Sequence, residues 1–73
     1  MTPEQIVNNF TYHPPKEGQP AKYTWIRNGG QDLAELILAL TPPSREQSLA
    51  FTKLEEAIMW ANAAIARNEK DEG

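Results

Sequence analysis

The chain has 73 residues, no cysteine, one histidine and a formal net charge of −3. These values exclude disulfides, thiolate zinc sites and a His-rich metal cluster, and they argue against binding to a DNA or RNA duplex, whose affinity rests on many phosphate contacts. A domain of this length buries only about 60% of its unfolded surface, so a lone copy is marginal and association with further copies is the remaining way to cover apolar surface.

Taken in chain order, Thr2 with Gln5 three residues later is a capping-box pattern, and Pro3 occupies a first-turn position that tolerates proline. A short helix over residues 3–9 is predicted. The stretch FTYHPPKEGQPAKY, residues 10–23, follows, and its three prolines and one glycine disfavour regular structure. It is poor in aliphatics, yet it carries Phe10, Tyr12, His13 and Tyr23 beside Lys16 and Lys22. A second helix is predicted over 20–40, where Thr41-Pro42-Pro43 stops it. Ile26, Leu33, Leu36, Ile37 and Leu40 form its apolar stripe. The third helix is predicted over 44–68, with Ser44 and Gln47 as a second capping box and a length of roughly 37 Å. The short TPPS link makes helices two and three antiparallel neighbours. The fold class is thus all-α: a short N-terminal helix, a Pro-rich loop and a long antiparallel helical hairpin, in one domain over 1–73.

The third helix carries the block AIMWANAAIA, in which Asn62 is the lone polar residue. Ala50, Leu54, Ala57, Ile58, Ala61, Ala64 and Ile65 share a face suited to helix two, while Met59, Trp60, Ala63 and Ala66 point away from it. A helix apolar nearly all round is a buried helix, and one three-helix chain cannot cover every side. The block therefore predicts a helix at the centre of a homo-oligomer. No cationic-then-apolar leader opens the chain, and no apolar run approaches the ~20 residues of a membrane span, which predicts a soluble protein.

No nucleophile–base pair, G-x-S-x-G motif or P-loop is present. Glu55 and Glu56 are adjacent on a helix and point in different directions, so an enzyme is not expected, and no metal site or cofactor is called for. Other polar residues have ordinary readings beside functional ones. Asn62 reads as a residue that fixes helix register. Gly29 and Gly30 read either as a close helix crossing or as bare backbone leaving room for a ligand beside Arg27. Arg67, in the last turn of its helix, complements the helix dipole. Rings together with Lys and Arg are also what base stacking and phosphate neutralisation require.

The stretch SREQSLAFTKLEEAIMWANAAIARNE, preceded by FTYHPPKEGQPAKYTWIR, resembles the small bacteriophage sponge proteins that inhibit CBASS immunity by sequestering cyclic oligonucleotides (the anti-CBASS protein type two family). The resemblance covers almost the whole chain, and the NGGQD segment after Arg27 departs from it. It implies a helical homohexamer of interlocked dimers, acting in the cytoplasm of the infected bacterial host. It also implies binding of cyclic dinucleotides, cyclic GMP–AMP included, and cyclic trinucleotides without cleavage, which leaves the CBASS effector off. By position in the motif, Tyr12 and Arg27 are implied contacts of the cyclic dinucleotide, and Arg67 of the cyclic trinucleotide; Lys22 is a second candidate for the dinucleotide. The loop is then a lid, with Gly18 letting it adjust and Tyr23 supporting it from below. The rival expectation is a non-enzymatic helical adaptor that docks a protein and binds no nucleotide.

Overall fold

The computed structural model describes residues 1–69, and among them the only regular elements are three helices: α1 (Pro3–Phe10), α2 (Gln19–Leu40) and α3 (Arg45–Asn68). The capping box predicted at the start of α1 is complete. Thr2 Oγ1 accepts from Gln5 N at 3.1 Å, and Thr2 N donates to Gln5 Oε1 at 2.7 Å. The box predicted at α3 is half formed: Ser44 Oγ accepts from Gln47 N, but the Gln47 amide turns away. Its Nε2 donates instead to Thr41 O and Oγ1, at 3.1 and 3.0 Å. Thr41 N itself closes α2 onto Ile37 O. Gln47 therefore ties the end of α2 to the start of α3, a more useful partner in a tight αα-hairpin than its own N-cap.

The α2·α3 hairpin carries the main contact between elements. The α2 residues turned towards α3 are Tyr23, Ile26, Gly30, Ala34 and Ile37, spaced three and four apart as one helix face requires. That face only partly matches the predicted stripe, because Leu33, Leu36 and Leu40 are exposed. On α3, Leu54, Ile58, Ala61 and Ile65 are half-buried as expected, but Ala57 and Ala64 are exposed. Ala63 and Ala66, expected to point away, are half-buried as well. Tyr12 and His13, in the segment before α2, lie across an open groove from them.

Gly30 decides how closely the two long helices approach. It is buried, and a Cβ built there would lie 2.8 Å from Ile58 Cδ1 and 2.9 Å from Ile58 Cγ1. Gly29 has nothing within 4 Å of such an atom. The second glycine is thus a helix-crossing residue, while the first faces open space.

The Cα frame measures 46 × 28 × 14 Å, little thicker than one helix with its side chains. A single layer leaves both faces open, whereas a stable core normally needs two. In keeping with this, no hydrophobic side chain among the described residues is fully buried. Trp25 is 70% and Trp60 58% exposed, and Leu36, Leu38, Leu40 and Met59 are exposed too. No described helix is long and apolar enough to cross a membrane.

The one fully buried polar side chain among the described residues is Gln19, 2% exposed. Gly18 before it has φ +84°, a left-handed conformation that other residues adopt only with strain. The turn it makes brings Gln19 Oε1 to Lys16 N at 2.9 Å. From there Gln19 Nε2 donates to Glu69 Oε1 at 3.2 Å and to Ile65 O at 3.5 Å. One amide thereby joins the loop, the start of α2 and the end of α3. Gln19→Ala removes these bonds and strands their partners, so a loss of about 1–3 kcal/mol is expected by denaturant unfolding. A change within about 0.5 kcal/mol would contradict the role.

Candidate functional site

The loop is not free to wander. His13 Nε2 lies 2.7 Å from Asn8 O, and Asn8 Nδ2 donates across to Arg67 O at 2.8 Å. Lys16 Nζ reaches Glu69 O at 3.0 Å. Together with Gln19, these bonds hold α1 and the loop against the C-terminal end of α3. Gly18 makes the left-handed turn at the end of this loop, just before α2.

Between loop and hairpin lies an open groove of about 530 Å³, within the range of small-molecule sites. Its rim comes from α1 and the loop, through Asn9, Thr11, Tyr12 and His13. Tyr23 and Arg27, one turn apart, come from α2. From α3 come Asn62, Ala63, Ala66 and Arg67, two i, i+4 pairs that share one flank. The small alanines leave the floor low, so the alanine-rich block makes room for a guest as well as for helix approach. Tyr12 is 80% exposed and offers a free ring face. Arg27 is exposed and Arg67 half-buried. Among the described residues neither guanidinium pairs with a carboxylate, so both are open to an anion. A second groove of about 320 Å³ lies between α2 and α3, lined by Arg27 and Gly30 with Phe51, Leu54, Glu55 and Ile58.

The three residues implied by the resemblance, Tyr12, Arg27 and Arg67, thus line one groove, although the resemblance divides them between two ligands. Lys22 is not among its lining residues. It pairs with Glu69 at 2.5 Å, joining the start of α2 to the end of α3. That hydrogen bond, then one from Gln19 and the charges of Lys22 and Lys16, outweigh partial desolvation and hold the Glu69 carboxyl below its ordinary value of 4.5. A lowered folded-state value means that the contribution is present above pH 4.5 and lost as pH falls below it. The stability curves of the wild type and Lys22→Met should therefore differ above that pH and converge below it. Parallel curves through the acid range would contradict this linkage.

One groove residue, and one that supports the groove from outside it, had little signal in the sequence. Asn62 read as a register residue, yet it lines the groove, and its Oδ1 is buried without a hydrogen-bond partner. Asn8, whose amide holds the backbone at Arg67, lies 59 positions from its partner, and no local pattern reveals such a contact.

The fold and groove define a class first: a helical hairpin with two tyrosines and two arginines around an open groove. Within that class, the chain belongs to the family described as Acb2/Tad1, hairpin domain, whose model matches residues 2–66. This is the anti-CBASS protein type two family to which the sequence resemblance pointed. The family suggests an anti-CBASS role of the sponge type, that of a binding protein rather than an enzyme. No curated protein matches the chain, and no solved structure does.

Proposed function

We propose that this protein sequesters cyclic oligonucleotide second messengers, dinucleotides and trinucleotides, without cleaving them, and so keeps the CBASS effector of an infected bacterium off. The observation that carries the reading is the groove in which Tyr12, Arg27 and Arg67 meet, in a chain of the Acb2/Tad1 hairpin family. Tyr12 stacks on a base, and the planar forks of the guanidiniums neutralise phosphates. Capture without chemistry fits a groove that offers cations and rings but no nucleophile–base pair.

The working form in this reading is a homohexamer built from interlocked dimers. Trp25, Trp60, Met59 and the exposed leucines of α2 supply the apolar surface that such an assembly covers. Arg67 repeated about a threefold axis would meet three phosphates at once, whereas one copy binds weakly. An adaptor that docks a protein would use the same apolar surface but leave the open cations of the groove without a role.

Incubation with a cyclic dinucleotide, followed by filtration, heat denaturation and chromatography of the released material, tests capture against turnover. The expected result is depletion of ligand from the filtrate and its recovery intact after heating. Linear or hydrolysed product, or no depletion at protein concentrations well above that of the ligand, would contradict the proposal.

A further inference from the structure

Asn62 is the groove residue whose chemistry the reading above does not use. Its Oδ1 is closed off from solvent, and no group in the described chain donates to it. An orphaned buried acceptor is a liability that an apolar residue of similar size would remove, often at no cost or with a gain in stability. The surrounding block of Ala, Ile, Met and Trp would accept such a residue readily. A side chain that weakens the free protein and lies in a ligand groove has a use when the groove is filled. A ligand donor meets this oxygen only if its entry displaces the atoms that now close it off from solvent.

We propose that Asn62 reads the base held in the groove and selects adenine, its Oδ1 accepting from the exocyclic amine while its Nδ2 donates to the neighbouring ring nitrogen. This rests on the cyclic-nucleotide reading of the same groove. The match is one of pattern. Adenine presents a donor next to an acceptor, which an amide meets with both its ends, whereas the corresponding edge of guanine presents two acceptors. Guanine O6 would then face the Asn62 carbonyl oxygen, leaving that acceptor still unpaired. Arginine is the usual partner of that guanine edge, but in this reading Arg27 is occupied by a phosphate of the dinucleotide. Tyr12 on the rim and Tyr23 on α2 border the same groove, so a base stacked on a ring can turn its edge to the α3 flank.

The test compares cyclic di-AMP, cyclic di-GMP and cyclic di-IMP by calorimetric titration, on the wild type and on Asn62→Leu. Cyclic di-IMP replaces the amine of adenine by an oxygen and so probes the contact without altering the protein. The wild type is expected to bind cyclic di-AMP roughly tenfold to a hundredfold more tightly than either of the others. In Asn62→Leu this preference should collapse, mainly through loss of cyclic di-AMP affinity, while thermal stability is kept or raised. Equal wild-type affinities for the three ligands, or an unchanged preference in Asn62→Leu, would overturn the inference and leave the sponge reading standing. Absence of binding to all three by the wild type would overturn both.

Discussion

Arg27→Ala and Tyr12→Ala should each weaken cyclic dinucleotide binding by roughly tenfold to a hundredfold, with the oligomer intact. The size follows from what each removes. A stacked base loses about 1–3 kcal/mol when its aromatic platform is cut back to alanine, and a charged hydrogen bond to phosphate is worth about 1.5–3 kcal/mol. Neither side chain supports the fold. Tyr12 is 80% exposed, and Arg27 is exposed with no carboxylate partner among the described residues. Light scattering should therefore report an unchanged assembly while titration reports the loss. Arg67→Ala is expected to fall hardest on the trinucleotide, whose three phosphates would meet three copies of the residue in the proposed assembly. Dissociation of the assembly in both Tyr12→Ala and Arg27→Ala would contradict a binding role separable from structure.

Gly30→Val should destabilise the protein by about 1–3 kcal/mol, the usual cost of forcing extra methyl groups into a filled space. Even the first added carbon would approach Ile58 Cγ1 to 2.9 Å. Helix propensity works in the opposite sense, because glycine is the poorer helix former, but that gain is smaller than the overlap. Gly29→Val is the matched control: it has the same propensity gain and open space around it, so it should be neutral or slightly stabilising. Ile58→Ala in the Gly30→Val background should recover part of the loss by removing the atoms that collide. Denaturant midpoints for the four proteins check this, and equal effects at Gly29 and Gly30 would contradict the crossing.

The helices were legible because their signals are local. Thr2 and Ser44 cap at short range, and Thr41-Pro42-Pro43 stops α2 by backbone chemistry alone. Chemistry that crosses the chain was not legible. Gln47 had two plausible partners and takes the one across the hairpin link. Gln19 looks unremarkable in FTYHPPKEGQPAKY, since its importance rests on Ile65 and Glu69, far along the chain. Lys22, a second candidate for the dinucleotide, pairs with the same Glu69, a partner 47 positions away that no local pattern reveals. The apolar stripe of α2 misled for a related reason. Periodicity marks residues that avoid water, but in a single-layer hairpin it does not say which of them meet α3 and which remain exposed.

The candidate site divides in the same way. Rings and cations in the loop and helices were visible as types, and the resemblance attached roles to Tyr12, Arg27 and Arg67. That all three face one groove depends on α1 and the loop being held to the end of α3 by Asn8, His13, Lys16 and Gln19. Asn62 is the instructive case. A polar residue in an apolar block has the same sequence pattern whether it fixes register or reads a ligand, and the unpartnered oxygen beside the groove is what motivates the ligand proposal.

The most direct test of the central claim is isothermal titration of the purified protein with a cyclic dinucleotide and a cyclic trinucleotide, first separately and then in sequence. Saturable binding, with the ligand recovered unchanged, is the predicted result, and the second titration shows whether the first ligand leaves room for the other. Absence of heat and of displacement for both ligands, at protein concentrations that keep the oligomer assembled, would contradict the sponge function and leave a helical assembly whose groove serves another partner.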